Sequence, residues 1–567
     1  MKHFTTITAR SIATLLSTIS TVCTLNTGQL FAVELLWATG GGSEDSNDRV
    51  SALETANDSS VFIGGSCSTN TEFGQFKLED RPNDYVAKLD KGGAYQWATG
   101  FSNGTVFSND SVSISDLASD SNNDVYVMGY VRGTTLKIGA TEFQLSSTSP
   151  QSATFDRGFV AKLDGASGNA IWFHETRGFK DNPLAIAVDS SRSVVFAAFR
   201  SQNSLFAYGA NIELPRIGAG DDLIVLKLDS ATGEAEWGTR TTSTSGTNDF
   251  EAKYFNVDLA IDGDGDAYVT GSITGRGELG GIVLPASPPR PSVPSGQILL
   301  AKIDSTGQWL WAKQFGGSFS DTGLSIALDR AGNIFVTGNC SRLVDFGNGV
   351  SVNTDGSFIA KFTPDGNALW ASAPTKGQVF NFRVCVDPSG NAFIAGGSTR
   401  DRVEFGGLEV AGKNTVMVAK IAPDGKARWL EAYGGVDSYS GSWHIALDSS
   451  GNVVLASDSS DPFTIDDQLF NSESRNYYTL TFKFQDPEGS ASSGARFSIT
   501  EFAVSATEVR LTWTPVPGGV YAIEGSANLE DWTTVAGFEA ISSTSASIPQ
   551  QPGAGSFTGY RVRAVMP

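Results

Sequence analysis

One phrase recurs along the chain: an apolar strand containing Lys, a tight turn with Gly, and a Trp at the start of the next strand. Residues 301–311, "AKIDSTGQWLW", return with few changes at 360–370, "AKFTPDGNALW", and at 419–429, "AKIAPDGKARW". The Trp recurs after 60, 75, 65, 74, 59 and 59 residues, at Trp37, Trp97, Trp172, Trp237, Trp311, Trp370 and Trp429. Such a repeat constrains the fold strongly, because a single unit cannot bury its apolar face and must stack on its neighbours.

The recurrent Lys precedes every Trp except the first, and one further copy follows the last Trp: Lys88, Lys162, Lys227, Lys302, Lys361, Lys420 and Lys483. Between successive copies lies a second phrase, such as "LSIALDRAGNIFVTG" at 324–338, in which a turn of Asp, Gly and Asn separates two short strands. Each unit therefore predicts four strands. In the fifth unit they are expected at about 324–329, 333–340, 357–363 and 368–373.

Four-stranded units repeated at this period predict an all-β fold, a seven-bladed β-propeller. The two ends of the repeat are offset, because Trp37 has no Lys before it and Lys483 has no Trp after it. We therefore expect the N-terminal strand, 34–39, to complete the last unit, 443–484, which would remove two open sheet edges. The alternative is a solenoid, which would not need this offset.

Four strings, "LWAKQFGG", "LDRAGNIFVTG", "LVDFGNG" and "FIAKFTPDGN", resemble the SBBP-type repeat of bacterial seven-bladed β-propellers. The resemblance covers roughly residues 34–486 and is strongest in the fifth and sixth units. It implies the propeller fold and export from the cell, and it implies no activity.

The segments outside the repeats predict export and a second domain. Residues 1–32 combine a basic start with a mildly apolar run, which indicates a signal peptide. We assign 33–486 to the propeller and 487–495 to a linker. Residues 496–567 alternate apolar and polar side chains and resemble a small fibronectin-III-like β-sandwich. The mature protein is expected to be secreted, or held at the cell surface or in the periplasm of a bacterium, with lipid attachment at Cys23 as an alternative.

Charge and cysteine content limit the partners. A net charge of −21 argues against nucleic acid and anionic membrane surfaces, whose phosphates would repel the chain. No stretch after the signal segment is apolar enough to span a bilayer, so no transmembrane segment is predicted. Of Cys67, Cys340 and Cys385, only the last two are candidates for a disulfide. We expect a monomer.

The recurrent residues are interpreted as structural. The Trp side chains are expected to cover the neighbouring blade, with a sugar-stacking platform as the alternative. Each Lys is expected to pair with an Asp at the hairpin turn, with a catalytic amine as the alternative. The corresponding acids are Asp120, Asp189, Asp262, Asp329, Asp387 and Asp448.

Two sets of acids are candidates for a site. Asp262, Asp264 and Asp266, in "IDGDGDAYV", resemble the start of an EF-hand loop, which makes calcium a candidate ligand and the common hairpin turn the alternative. The second set precedes the first strand of each unit and could hold a cation at the channel mouth, with solvated loop acids as the alternative. These residues are Asp48, Asp110, Asp181, Asp249, Asp321 and Asp437. No other cofactor and no catalytic residue is predicted.

The long connections between second and third strands fall on one face of the predicted disc and are longest at 131–157, 200–221 and 274–296. Long loops on a rigid scaffold commonly carry binding sites. Our first hypothesis is an exported, non-enzymatic propeller that binds a glycan or a protein through this face. The alternative is an enzyme acting on polysaccharide through carboxylates at the channel mouth, and a purely structural surface protein is the third hypothesis.

Overall fold

In the computed structural model of the chain, residues 4–8, 34–43 and 48–486 are described, with gaps at 69, 79–81, 104–110, 147–155, 179–180, 190–193, 217–220, 244–252, 286–294, 318, 399, 412–414, 435–442, 460–462, 466–467 and 471–477. Beyond 486, only the strands named below are described. The regular structure of all these residues is β-strand, which confirms the all-β class. Within them, no helix has the length and hydropathy that a membrane crossing requires.

Between residues 34 and 485, the described chain forms the seven blades of a β-propeller, each an antiparallel sheet with strand order 1-2-3-4. Blade 1 consists of Ala52–Thr55, Val61–Ser66, Asp84–Leu89 and Tyr95–Ser102. Blade 2 consists of Val112–Ser119, Val125–Val131, Arg157–Leu163 and Ala170–Glu175. Blade 3 consists of Asn182–Asp189, Val194–Ser201, Asp222–Asp229 and Ala235–Arg240. Blade 4 consists of Lys253–Ile261, Ala267–Thr274, Gln297–Ile303 and Trp309–Phe315. Blade 5 consists of Thr322–Leu328, Ile334–Gly347, Val350–Phe362 and Ala368–Ser372. Blade 6 consists of Val379–Val386, Ala392–Ser398, Thr415–Ile421 and Ala427–Gly434. The sheet of blade 7 combines His444–Leu447, Val453–Ser459 and Tyr478–Gln485 with Glu34–Gly41 as strand 4.

The first strands form the inner wall of the propeller. Each contacts the first strand of the blade before it and of the blade after it, and blade 7 contacts blade 1 in the same way. The apolar core lies between the blades, and the described chain has a separate buried cluster at each joint from that between blades 7 and 1 to that between blades 5 and 6. The joint between blades 3 and 4, for example, packs Phe196 and Val225 against Tyr254 and Leu299. Stability therefore depends on neighbouring blades burying each other's faces, as in other repeat architectures.

A short hairpin lies between the second and third strands of every blade in the described chain, opposite the short Asp–Gly turns. We call these two surfaces the hairpin face and the turn face. The hairpins of blades 1 to 4 are Glu72–Phe73 with Phe76–Lys77, Thr135–Ile138 with Thr141–Gln144, Leu205–Tyr208 with Ile212–Pro215, and Gly277–Leu279 with Ile282–Val283. In blade 5 the hairpin continues the long strands 2 and 3; in blades 6 and 7 it is Arg402–Phe405 with Leu408–Ala411, and Phe463–Ile465 with Gln468–Phe470.

The outer strand of a blade is attached to the following blade near both of its ends. Near the turn face, Trp37 donates its indole N–H to the carbonyl of Lys91 at 2.9 Å. At the hairpin face, Gly42 exchanges two backbone hydrogen bonds, of 2.9 and 3.0 Å, with Glu72. These contacts join Glu34–Gly41 to blade 1. Corresponding indole bonds join Trp97 to Gly165, Trp172 to Ser230, Trp237 to Ser305, and Trp370 to Pro423. Corresponding backbone pairs are Ser102 with Lys137, Thr176 with Tyr208, Thr242 with Glu278, and Lys376 with Glu404.

The Trp joint explains the Gly of the recurrent phrase. Gly93 has a φ of 86°, in the left-handed region that favours glycine. A Cβ at this position would also lie 2.6 Å from the ring of Trp37. Gly and Trp in successive copies of the phrase are therefore two halves of one contact, since the indole of one blade lies on the turn of the next.

Outside the blades, two further sheets make up a unit of their own. One contains Phe4–Thr8, Gly559–Val565, Val520–Ser526 and Thr533–Thr534, and the other contains Ile499–Val504, Glu508–Trp513 and Ser545–Pro549. Phe4–Thr8 lies within the segment assigned to the signal peptide and pairs antiparallel with Gly559–Val565. The signal peptide and the fibronectin-III-like domain stay predictions, and the linker at 487–495 lies outside the described residues.

We predict that Gly93→Ala destabilises the propeller more than Gly451→Ala. Both glycines have a positive φ, of 86° and 80°, and both donate their N–H to an Asp carbonyl three residues earlier, but only a Cβ at 93 would meet an indole. The left-handed backbone should cost about 1–2 kcal/mol in each variant, and the overlap with Trp37 about 1–3 kcal/mol more in the first. Urea unfolding measures the loss of stability in both variants, and equal midpoints would contradict the contact between the turn at Gly93 and the indole of Trp37.

Candidate functional site

Each recurrent Lys lies in a row between an aromatic or aliphatic side chain of strand 2 and, in blades 1 to 6, the Trp of strand 4. In blade 4, Lys302 is in register with Tyr268 on one side and Trp311 on the other. Its Nζ lies 4.7 Å from the Tyr268 ring centroid and makes ion pairs with Asp262 at 3.0 Å and Asp266 at 3.1 Å. The ammonium is thus partly removed from water but keeps two carboxylates and an aromatic face as partners.

In the other blades the recurrent Lys pairs with acids at different positions. Nζ–carboxylate distances are 2.8 and 3.2 Å from Lys162 to Asp120 and Asp124, 3.2 Å from Lys361 to Asp329, and 3.0 Å from Lys483 to Asp448. Lys88 pairs with Asp58 at 3.8 Å and Lys227 with Glu236 at 2.8 Å, two acids that the sequence interpretation did not name. Lys420 lies over Phe393, 5.2 Å from the ring centroid. Asp189 ends strand 1 of blade 3, and Asp387 accepts hydrogen bonds from its own turn, at the N–H groups of Ser389 and Asn391.

The candidate calcium ligands take part in the Lys–Asp arrangement of blade 4. Oδ1 of Asp262 accepts the N–H groups of Asp264 and Asp266, and Oδ2 binds Lys302. Burial alone would raise the pKa of Asp262, but Lys302 and the two N–H groups hold that pKa below its usual range. Asp264 is exposed. Among the described residues, no group of three or more His, Cys, Asp or Glu could hold a metal ion. The geometry is that of the hairpin turn common to the other blades.

The acids expected at the channel mouth are buried, and not solvated, where the structure describes them. Asp48, Asp181 and Asp321 are each 0% exposed. Asp48 accepts bonds from the Ser43 N–H and the Thr71 hydroxyl, and Asp321 from the N–H groups of Gly317 and Ser341. Asp181 accepts a 2.7 Å bond from the Asn203 amide. These carboxylates fasten the loop before strand 1 to the base of the hairpin of the same blade. Asp110, Asp249 and Asp437 lie outside the described residues.

A different polar set lines the inner wall. Four residues before the 1–2 turn begins, the first strands carry Ala52, Asp116, Ala185, Asp258, Ser325, Arg383 and His444. Asp116, Asp258, Arg383 and His444, from blades 2, 4, 6 and 7, are half-buried, and we call them the axial cluster. The next position is Leu, Ile or Val in every blade. Aspartate, arginine or histidine therefore occupies four of the seven positions, and Ala52, Ala185 and Ser325 occupy the other three.

Asp116 and Asp258 have the same hydrogen bonds in different blades. Asp116 accepts the N–H of Leu117 at 2.9 Å and that of Ile186, in the next blade, at 2.8 Å. Asp258 accepts the N–H of Leu259 and that of Ile326, both at 2.9 Å. Arg383 donates from Nη1 to the carbonyl of Leu324 in the preceding blade at 2.6 Å. The cluster thus fastens adjacent inner strands to each other.

A β-bulge directs these side chains. In blades 2 to 6 the pairing between strands 1 and 2 shifts register immediately before the position of the cluster. In blade 4, for example, Phe255 pairs with Ser272, and the next paired residue is Asp258, opposite Thr270. A bulge bends the strand and re-aims the following side chain. The cluster is thereby positioned by backbone geometry as well as by its hydrogen bonds.

The charges of the cluster act on one another across the channel. Burial, with the like charge of Asp258 added, raises the pKa of Asp116 to about 8, against the opposing effects of the Ile186 N–H and Arg383. Burial also raises the pKa of Asp258, which Arg383 opposes. Burial and Arg383 together lower the pKa of His444 to about 3.

The remaining cysteines and histidine have structural settings. Cys67, Cys340 and Cys385 are free, so the candidate Cys340–Cys385 disulfide is not formed. His174, on the outer strand of blade 2, bonds through Nε2 to the carbonyl of Thr232 at 2.9 Å. His174 is therefore part of the joint with blade 3, whereas His444 belongs to the axial cluster.

Comparison with known proteins agrees with the repeat. Residues 310–339 match the family described as SBBP: Beta-propeller repeat. The uncharacterized WD repeat-containing protein L264 of Acanthamoeba polyphaga mimivirus is 23% identical over 386 residues, which are 57% of this chain and 26% of that protein. The chain therefore spans about a quarter of the length of this relative. The chain thus carries an SBBP-type β-propeller repeat.

The chain is also similar to solved structures at low identity. These include the intramolecular trans-sialidase from Ruminococcus gnavus, with 9% identity, a TM-score of 0.34, and coverage of 81% of this chain and 98% of that one. The NanB sialidase from Streptococcus pneumoniae has 10% identity, a TM-score of 0.36, and coverage of 80% and 70%. A protein of unknown function from Dyadobacter fermentans has 10% identity, a TM-score of 0.35, and coverage of 65% and 93%. At these TM-scores the likenesses carry no argument about a site or an activity.

We predict that Lys483→Met lowers the free energy of unfolding by about 3–5 kcal/mol, because it leaves the buried carboxylate of Asp448 without its cation. It also removes the Nζ bonds to the carbonyls of Ser59 and Lys91 in blade 1. Lys77→Met is the control, since the pair of Lys77 with Glu72 is more than half exposed and should contribute little. Urea unfolding of both variants measures the difference, and equal losses would contradict the structural role of the buried pair.

We predict that the propeller becomes less stable between pH 5 and pH 8. Burial raises the pKa of Asp116 to about 8, of Glu54 to about 7 and of Asp458 to about 6. Above the unfolded values near pH 4, the folded chain therefore binds more protons than the unfolded chain, so the free energy of unfolding falls as pH rises through these folded values.

Asp116→Asn should reduce this pH-dependent loss by on the order of 1–2 kcal/mol, a figure discounted for solvent screening because Asp116 is only half-buried. The amide keeps an oxygen for one of the two N–H groups that Asp116 binds. Urea midpoints at pH 5 and pH 8 measure the effect, with the exposed Asp264→Asn as a control for the substitution itself. A wild-type midpoint that rises toward pH 8 would overturn the prediction.

Proposed function

We propose that the protein is an exported, non-enzymatic β-propeller that binds a glycan or a protein through its hairpin face. The observation that carries this proposal is the set of exposed apolar side chains on this face in consecutive blades. Leu205, Val283 and Leu343, on the hairpins of blades 3, 4 and 5, are 42%, 48% and 57% exposed. Phe380, at the start of blade 6, is 40% exposed. Contiguous apolar surface on a folded protein commonly marks an interaction site, and the proposal is that neighbouring hairpins supply such a surface.

The hairpins support binding because they are held in place before a ligand arrives. Backbone pairing with the preceding blade fixes the hairpins of blades 1, 2, 3, 4 and 6. In blade 3, for instance, Arg177 donates its N–H to Ala207 at 2.8 Å, and Gly209 donates to Glu175. Ordering loops on binding reduces affinity, so a prearranged surface binds more tightly for the same contacts.

An enzyme acting on polysaccharide is the alternative, and the described acids give it less support. Glycoside cleavage commonly uses two carboxyl groups that reach opposite sides of the scissile bond. Asp48, Asp181 and Asp321 are buried and bonded to groups of their own loops, so they are not available to a sugar at the surface. Binding without catalysis is therefore the function that we propose.

The test compares two triple variants of matched exposure. Leu205→Ser, Val283→Ser and Leu343→Ser alter the hairpin face, whereas Ile171→Ser, Leu310→Ser and Leu369→Ser alter the outer strands, where the side chains are 48%, 49% and 47% exposed. On a glycan array, and in photo-crosslinking to proteins from the same bacterium's envelope, we expect at least tenfold less binding by the hairpin variant and wild-type binding by the outer-strand variant.

Three results would contradict the proposal. The first is equal binding by both variants. The second is cleavage of chromogenic polysaccharides by the wild-type protein. The third is that neither the glycan array nor the crosslinking detects any binding by the wild-type protein. Urea unfolding of both variants serves as the control for folding. Export is checked separately by expressing the chain with its own N-terminus and determining the first residue of the mature protein by mass spectrometry.

A further inference from the structure

The outer strand of blade 7, Glu34–Gly41, closes the ring with little burial, and we call it the closing strand. All of residues 35–41 are half-buried or exposed, and Leu36 is 43% exposed. The outer strand of every other blade has at least one buried side chain, at Trp97, Trp172, Ala235, Trp309, Ala368 and Trp429. Segments with few buried apolar contacts are those that open while the rest of a protein stays folded.

The closing strand is also connected to its blade in a different way. In blades 1 to 6 a short turn joins strand 4 to strand 3, so a separated outer strand stays beside its partner. No such turn joins the closing strand to its partner Tyr478–Gln485, because the two strands lie at opposite ends of the propeller sequence. The closing strand is held next to that edge through blade 1, so a strand from elsewhere competes with it only against a tether of moderate effective concentration.

The residues that follow the closing strand are fastened to blade 1. Gly42 exchanges two backbone hydrogen bonds with Glu72, and its φ of 136° lies in the left-handed region that favours glycine. The N–H and hydroxyl of Ser43 both donate to the buried carboxylate of Asp48. These bonds do not involve the side chains of Leu36 or Trp37. The strand can therefore leave the edge of blade 7 while Gly42 stays in place as a hinge.

The edge under the closing strand is held by contacts of its own. Tyr478–Gln485 pairs along its whole length with strand 2 of blade 7. The ring of Phe482 packs on that of Tyr433 in blade 6, with 5.5 Å between the centroids. Lys483 pairs with Asp448 at 3.0 Å. These contacts persist without the closing strand, so the uncovered edge stays extended, as the addition of a strand in trans requires.

Beside this edge lies a site that fits one indole. Trp37 donates its N–H to the carbonyl of Lys91 at 2.9 Å, and its ring lies on the turn at Gly93. Nζ of Lys483 lies 5.4 Å from the centroid of the same ring. An acceptor, a flat turn and a cation together match an aromatic side chain that has one N–H donor. Phenylalanine lacks the donor, so the site selects tryptophan.

We propose that the closing strand is exchangeable and that the edge of Tyr478–Gln485 binds, in its place, an extended tryptophan-bearing segment of another protein. The backbone of the segment pairs with the edge, and its indole replaces that of Trp37. A second copy of this chain is the less suitable source, because two copies with a net charge of −21 repel each other and the closing strand of each stays joined to its own blade 1. This inference does not depend on the proposed function of the hairpin face.

Hydrogen–deuterium exchange of the full chain, followed by mass spectrometry, tests release of the closing strand. We expect residues 35–41 to lose protection about tenfold faster than the outer strands Trp309–Phe315 and Ala427–Gly434. Thr479→Val, which removes the 2.8 Å bond from the Thr479 hydroxyl to the Gly41 carbonyl, should accelerate exchange of 35–41 alone. Equal exchange in all three strands of the wild-type chain would overturn the proposal. The triple serine variant of the hairpin face should exchange 35–41 at the wild-type rate, so the two proposals fail separately.

Fluorescence anisotropy of a labelled peptide with the sequence of residues 34–41, ELLWATGG, tests the edge at up to about 1 millimolar, the effective concentration of a tethered strand. Full-length Trp37→Ala should bind the peptide about tenfold more tightly than the wild-type chain, whose own strand competes better. A peptide with alanine in place of tryptophan should bind neither chain.

Trp370→Ala is the matched control. Trp370 is also half-buried and donates its indole N–H to the carbonyl of Pro423 at 3.0 Å, but a turn keeps its strand beside strand 3, so this variant should bind the peptide no better than the wild-type chain does. Unchanged exchange in Trp309–Phe315 confirms that both variants are folded. Absence of peptide binding to folded Trp37→Ala, or equal binding by the two variants, would overturn the proposal. Dimers of the wild-type chain that the peptide dissociates would assign the edge to a second copy and overturn the choice of partner.

Discussion

The fold depends on how the recurrent Lys and Trp are held within a blade and between blades. In blade 4 the Lys302 ammonium lies between Tyr268 and Trp311 and reaches the acids of the 1–2 turn, which ties the middle strands together. The Trp of each blade from 1 to 5 lies on the 3–4 turn of the next blade, and Trp429 of blade 6 contacts Phe484 of blade 7. One row of side chains therefore links strands within a blade and links that blade to the next.

This arrangement accounts for the spacing of the repeat. A Trp without the turn of a following blade would leave a large apolar ring in water, and a turn with any other residue than Gly at position 93 would collide with it. The contact between Trp37 and blade 1 is of the same kind as the contacts between consecutive blades. The N-terminal strand therefore makes a joint that covers an indole and provides hydrogen-bond partners for an edge that would otherwise be open.

Much of the fold could be predicted because the same residues recur. The strands predicted for blade 5 at 324–329 and 368–373 lie within two residues of the observed Thr322–Leu328 and Ala368–Ser372. The hairpins were not predicted, since pairs as short as Gly277–Leu279 with Ile282–Val283 are stabilised by the preceding blade and not by their own sequence. Burial of Asp48 and Asp321 was missed for a related reason, because their partners are backbone N–H groups that carry no sequence signal.

The axial cluster was also missed, although a signal for it exists. Asp116, Asp258, Arg383 and His444 occur at one position of an aligned repeat, each directly before an apolar residue of the inner strand. Within a single strand each looks like an exposed polar residue, and only the closed ring brings them to a common axis. Their convergence depends on ring closure and on the bulge before them, which are both properties of the assembled fold.

Repetition and departure from repetition therefore carry different information in this chain. Residues that recur in most blades, such as the Lys and Trp of the rows, are accounted for by contacts that every blade needs. Polar residues that replace alanine in only some blades are not required by the fold, since Ala52 and Ala185 occupy the same position in blades that form the same sheet. Burying such groups raises the pKa of Asp116 and opposes stability at neutral pH, which a purely structural position would not need. Departures from the repeat are therefore the positions whose residues are not accounted for by contacts that every blade makes.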